Sequence, residues 1–185
     1  MSILKVAHMG HPCLRRVSSP IEPERLRTPE LQRFCDDLYE TMVETDGVGL
    51  AAPQVHVNER IVVFQLDDAA PMWLVNPVLT PVGSARRGGY EGCLSVPGLR
   101  GRVERWFELE VRALDRDGEP LSMLATGWDA RDIQHECDHL DGVLYVDRVD
   151  PRSLAFLPEY RRHGPLVPLA AEDEDDEEGE EEGEE

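Results

Sequence analysis

No stretch of the 185 residues approaches the roughly 18 consecutive apolar residues that a membrane-crossing helix needs. The start, Met1-Ser-Ile-Leu-Lys-Val-Ala-His, likewise lacks the long apolar run behind a basic segment that marks an export signal. A soluble, cytoplasmic protein is therefore expected. Thiols stay reduced in that compartment, so Cys13, Cys35, Cys93 and Cys137 are read as free thiols open to metal rather than as two disulfides. Internal repeats are absent as well, which sets aside solenoids and propellers.

Basic residues are missing from one end of the chain. Residues 172–185 hold 12 of the 38 acidic residues and no lysine or arginine; subtracting them leaves 26 acids against 19 bases, about −7, an ordinary balance for a soluble domain. A block of like charges with almost no apolar residue cannot offset the entropy lost on ordering. The expected division is a folded domain over 1–165 and a disordered acidic tail over 166–185. Such a tail repels phosphate backbones, so direct nucleic-acid binding is not expected, and a basic protein surface is the partner it would suit. With 41% hydrophobic residues and scattered glycines and prolines, the remainder is long enough to bury one core.

Periodicity supplies the elements. Thr28-Pro29-Glu30 has the form of a helix start, and Leu31, Phe34, Cys35, Leu38, Met42 and Val43 follow at helical spacing to about Glu44. Ile61 to Leu66 and Trp73 to Asn76 are apolar runs suited to strands. Phe107, Leu109, Val111 and Ala113 alternate with polar residues ahead of an Asp117-Gly118 turn. A second helix spans Asp129 to Asp141, with Ala130, Ile133, Cys137 and Leu140 on one side and Gly142 to stop it. Residues 1–27 read as extended wrapping. The class is α+β: an N-terminal helix and antiparallel strands packed around a central helix that carries metal chemistry.

That chemistry begins at His135-Glu136-Cys137-Asp138-His139. Two imidazoles four residues apart lie on one face of a helix and can reach one ion, with Glu136 beside it. The arrangement suits hydrolysis, because an ion lowers the pKa of a water while the carboxylate moves its proton. Two ligands do not complete a site. Downstream candidates are Asp141, Asp147, Asp150, Glu159 and His163; upstream, Glu91-Gly-Cys93-Leu94-Ser95 offers a thiol among residues that permit close backbone approach. A third segment, Gly47-Val48-Gly49-Leu-Ala-Ala-Pro-Gln54, ends in an amide that could donate a hydrogen bond.

In this order the three segments resemble the signature motifs of the peptide deformylase family, Gly-x-Gly-Leu-Ala-Ala-x-Gln, Glu-Gly-Cys-Leu-Ser and Gln-His-Glu-x-Asp-His, which stand complete at 47–54, 91–95 and 134–139. The resemblance spans residues 3 to about 160. It implies a hydrolase that removes the formyl group from the N-terminal formylmethionine of newly synthesised proteins and releases formate. It implies Cys93, His135 and His139 as ligands of one divalent ion, commonly ferrous iron in cells with zinc, nickel or cobalt replacing it. It assigns Glu136 as general base and then acid, and the Gln54 side chain and the Leu94 backbone N–H as donors to the formyl oxygen. Val48 and Trp128 are then expected to line the methionine pocket, with Gly47 and Gly49 letting the substrate backbone pass. The partners implied are nascent formyl-methionyl peptides near the ribosome.

Some neighbouring residues depart from this pattern or lie outside it. Asp132 stands about one turn before His135, where the family usually has an apolar residue; it either belongs to an exposed first turn or reaches a ligand histidine or the methionine pocket. Arg131 is expected near Asp138 and away from the ion, Asp138 is expected to pair with Arg105, and Cys137 to face the core. Glu91 is placed near the metal water or on a backbone hydrogen bond. Two other functions compete: a peptidase with a downstream third ligand, and a metal-stabilised scaffold whose tail binds a basic partner. A scaffold has no need of Glu136 or Gln54.

Overall fold

The structure, a computed structural model, describes residues 2–66 and 70–169. Four helices, α1 (Pro23–Leu26), α2 (Pro29–Glu44), α3 (Gly127–Leu140) and α4 (Leu157–His163), combine with two antiparallel sheets. The first sheet is ordered β1 (Gly49–Ala51), β2 (Ile61–Phe64), β3 (Met72–Pro81), β6 (Glu108–Leu114) and β7 (Pro120–Thr126). The second is ordered β4 (Arg86–Glu91), β5 (Leu99–Trp106) and β8 (Ala155–Phe156). The class is α+β.

Strand β2 explains the layering. All four of its residues are buried, because helices cover both faces of the sheet. Ile61 and Val63 point to α2, where Leu31, Cys35, Leu38 and Met42 meet Leu50, Trp73 and Val75. Val62 and Phe64 point the other way, to Ala130, Ile133, Cys137 and Leu140 of α3, with Leu74, Leu109 and Val111. The apolar stripes expected of both helices are thus the two walls of one sheet. Val43 is the exception on α2: it is exposed, and Thr41 takes the buried place.

Local chemistry sets the ends. Thr28 caps α2 by accepting a hydrogen bond from the Leu31 N–H, and Pro29 occupies the first turn. Helix α3 begins two residues earlier than expected, at Gly127, and is followed by Gly142 at φ 73°, where a Cβ would come within 2.9 Å of the Arg15 backbone. Strand β3 is longer than the Trp73 to Asn76 run because a register shift between Val75 and Val78 accommodates Asn76 at φ 51°. The Asn76 amide holds both the N–H and the carbonyl of Ile21, so the wrapping N-terminal segment is fastened to the sheet there.

The sequence reading set out no strand at β1, β4, β5, β7 or β8. Gly49–Ala51, singled out only as part of the segment ending in Gln54, pairs with Phe64–Val62 as β1. Arg86–Glu91 pairs along its length with β5 as a hairpin arm although it shows no apolar alternation. Residues 2–27 are largely extended as expected, with single turns of helix at Pro12–Arg15 and Pro23–Leu26. The described chain continues past 165 to a buried Leu169, and the Val167 N–H donates to the Tyr90 hydroxyl at 3.0 Å. The rest of the acidic tail lies outside the described residues.

Candidate active site and metal centre

Helix α3 turns its apolar stripe to the five-stranded sheet, which leaves His135, Glu136 and His139 facing the turn that follows β4. That turn carries Cys93. The sulfur and imidazole donor atoms of Cys93, His135 and His139 lie within 4.8 Å of one another, and Cys93 Sγ is 3.3 Å from His139 Nε2. The downstream alternatives are engaged elsewhere: Asp141 with Arg60 at 2.6 Å, Asp147 with Arg15, Asp150 with Arg152 at 3.1 Å, and Glu159 with His163 at 3.5 Å.

His135 is fixed by Glu91, whose Oε2 stands 2.9 Å from Nδ1. Burial alone would raise the Glu91 carboxyl, but hydrogen bonds from Arg105 and His135 outweigh it and hold the group far below the usual carboxylate range. An ionised carboxylate only accepts, so Nδ1 carries a proton, and Nε2 is left as the ring atom that can turn to an ion. Glu91 thus stands beside the metal centre as expected, and its contact there is with a ligand histidine, which it orients.

Glu91 is held in turn. Arg105 grips both its oxygens at 2.9 Å and reaches Asp138 at 2.5 Å, the pairing expected. Arg131, expected to be remote, is buried against Glu91 at 2.8 Å and donates to the carbonyls of Arg87 at 2.9 Å and Val103 at 3.0 Å. Its guanidinium fills the space that a side chain on Gly89 would need. Nothing in the local sequence marks Arg131 for this role; the glycine that makes room for it is 42 positions away.

Glu136 is buried, and its Oε2 has no hydrogen-bond partner among the described residues. Burial pushes its carboxyl up to about 7, the range in which a group can hold and release a proton at neutral pH. A carboxylate oxygen aimed into a cavity beside one thiolate and two imidazoles fits a divalent ion with a water as its further ligand. Gly49 makes this placement possible: a Cβ there would lie 2.8 Å from Glu136 Cγ. Beyond the passage for substrate expected of it, Gly49 leaves the space that Glu136 occupies.

Gln54 is oriented by its own carbonyl. Oε1 accepts from the Ala51 N–H at 2.8 Å, which turns the amide nitrogen toward Ser95 Oγ at 3.3 Å and Cys93 Sγ at 3.7 Å. The donor end of the side chain consequently faces the metal cluster.

These groups open on a cleft of about 430 Å³. Gly47, Val48, Gly49, Leu94 and Trp128 all line it, as expected from sequence, and Leu157 at the start of α4 adds an apolar wall that the sequence did not signal. Val48 is half exposed at the rim. Trp128 lies with its ring 5.1 Å from the Arg131 guanidinium. Asp132 lines the cleft and is half-buried, so the exposed first-turn reading fails; Asp129 is the acidic residue of that turn. Cys137 faces the core, where burial pushes its thiol far up.

A profile of the polypeptide deformylase family matches residues 3–155. Peptide deformylase 1 of Prochlorococcus marinus is 43% identical over 183 residues, covering 92% of this chain and 94% of its own. Peptide deformylase 2 of Pseudomonas putida is 43% identical over 156 residues, 80% of this chain and 88% of its own. Among solved structures, a peptide deformylase of Synechococcus elongatus in complex with actinonin superposes with a TM-score of 0.76 at 40% identity, covering 80% of each chain. A class I type b peptide deformylase of Acinetobacter baumannii bound to Met-Ala-Ser gives 0.76 at 35% identity, over 80% of this chain and 99% of that one.

Proposed function

The chain belongs to the peptide deformylase family, and from that premise we propose how its residues divide the work of removing the formyl group from N-terminal methionine. Cys93, His135 and His139 hold one divalent ion, ferrous iron in the cell, with zinc, nickel or cobalt able to replace it. Held there, such an ion would lower the pKa of a bound water and polarise a carbonyl. Glu136 accepts a proton from the attacking water and gives it to the departing amine, so the products are formate and a free amino terminus. The Gln54 amide and the Leu94 N–H receive the formyl oxygen as negative charge grows on it.

Val48, Trp128 and Leu157 take the methionine side chain, and the substrate backbone runs past Gly47. The Met-Ala-Ser complex of the Acinetobacter relative supports a peptide in the equivalent cleft. Asp132 narrows that pocket; the acceptor role for a ligand histidine belongs to Glu91. Nascent chains leaving the ribosome in the cytoplasm are the substrate this chemistry requires. Among the described residues no helix is long and apolar enough to cross a membrane.

The observation that carries the assignment is the meeting of Cys93 with His135 and His139 beside a buried, unpartnered Glu136 oxygen. Formate release from a formyl-Met tripeptide by anaerobically purified protein tests it. Glu136→Ala should abolish turnover with metal retained, and Cys93→Ala should abolish both. Turnover that survives Cys93→Ala would remove Cys93 from the ligand set.

A further inference from the structure

A second group of nitrogen and sulfur donors lies where the N-terminal segment meets the turn that carries Gln54. His11 Nδ1 is 2.9 Å from Cys13 Sγ, and His56 Nδ1 is 3.7 Å from the same sulfur. All three donor atoms fall within 4.8 Å of one another. A tetrahedral ion with bonds of about 2.3 Å to sulfur and ~2.0–2.1 Å to nitrogen separates such ligand atoms by roughly 3.5 Å, and the two observed spacings bracket that value. We propose that His11, Cys13 and His56 form a second metal site for a borderline divalent cation of the zinc type.

The surroundings suit such an ion. Cys13 is buried while both histidines are exposed, so the sulfur is shielded and the fourth coordination position opens to water. The Asn58 amide donates to the Cys13 carbonyl at 2.8 Å, which fixes the backbone of that ligand. The two imidazoles meet edge to face, their centroids 4.6 Å apart, with the thiol against both. His56 follows the helical turn Ala52–Val55 at φ 69°, a conformation that glycine adopts at less cost. Its ring is nevertheless turned to Cys13, and the deformylation chemistry uses none of the three residues.

These atoms also make hydrogen bonds. Nδ1 of His11 accepts from the Cys13 N–H at 3.2 Å, and the Cys13 thiol donates to the Pro53 carbonyl at 3.4 Å. Binding exchanges both for metal bonds and releases the thiol proton to solvent. Pro53 immediately precedes Gln54, and the same N-terminal segment donates from the Ala7 N–H to the Gln54 carbonyl and from the Met9 N–H to the Ser95 carbonyl, both at 2.7 Å. An ion at this site therefore clamps the segment against the back of the turn that aims the Gln54 amide.

Cobalt titration of the full-length protein tests the proposal, read by the sulfur-to-cobalt absorption band, which the carboxylates of the acidic tail cannot give. Wild type should saturate this band at two Co²⁺ per chain, Cys93→Ala at one, and Cys13→Ser at one. His56→Gly suits the backbone conformation and keeps the fold; it should weaken the second equivalent by roughly 100-fold or more, since losing a mere outer-shell partner of a ligand already costs about 10–100-fold. A band complete at one equivalent in wild type, or a second equivalent undiminished in Cys13→Ser or in His56→Gly, overturns the site.

Discussion

His135 presents its Nδ1 to the Glu91 carboxylate at 2.9 Å, and Glu91 is in turn the shared anion of two buried arginines, Arg105 and Arg131. One carboxylate thus sets the tautomer of a ligand histidine and neutralises charge in the wall behind it.

Replacing Glu91 should show both duties. In Glu91→Gln the histidine loses its acceptor anion, and metal affinity should fall roughly 10–100-fold. The carboxylate shared by Arg105 and Arg131 is also lost, leaving Arg105 with Asp138 and Arg131 without this buried anion, at a cost of about 3–5 kcal/mol. Chelator competition and urea unfolding separate the two effects. An unchanged metal affinity in a destabilised protein would reduce Glu91 to a partner for the arginines alone.

Gly49→Ala should disable the enzyme while leaving the metal in place. The added Cβ would stand 2.8 Å from Glu136 Cγ and displace the carboxylate, and a misplacement of about 1 Å costs on the order of 100-fold in turnover. Formate release and metal content are the paired measurements. Full activity would mean that Glu136 tolerates movement and that its position is not what the glycine protects.

Asp132→Val should favour apolar side chains in the substrate. The cleft beside Trp128 exchanges a charged group for a methyl-bearing one, worth about 1 kcal/mol in burial of a methionine, or roughly fivefold in KM. Comparing formyl-Met with formyl-norleucine and formyl-Ala tripeptides gives the profile; identical KM values in the variant and the parent would place Asp132 outside the pocket.

Burial pushes the Cys35 thiol up to about 11 from 9.0. The folded state then keeps a proton that the unfolded chain has lost, so this contribution to stability is intact below pH 9 and declines as pH rises to about 11. Cys35→Ala should flatten the fall in unfolding free energy over that window. At pH 8 the native thiol should resist alkylation that proceeds readily in urea. A native Cys35 that reacts as fast as the unfolded one would contradict its burial.

The two long helices were legible because each advertises a period and an end. Leu31, Cys35, Leu38 and Met42 mark one stripe and Ala130, Ile133, Cys137 and Leu140 the other, and Thr28-Pro29 and Gly142 mark boundaries. The ligand set was legible through motif resemblance. Strand β4 was not, because Gly88 and Gly89 give up side chains to make room for the guanidinium groups of Arg102 and Arg131, and a strand shaped by distant arginines carries no alternation of its own. Arg131 itself reads as a surface residue on a helix; only the closing of the second sheet over α3 turns it inward.

Helix α3 meets the five-stranded sheet through its apolar stripe and the Cys93 turn through its polar one. The third ligand joins the two histidines only where the turn after β4 lies against α3. A cobalt–sulfur absorption band from Cys93 in a refolding chain would therefore report that this particular contact has formed.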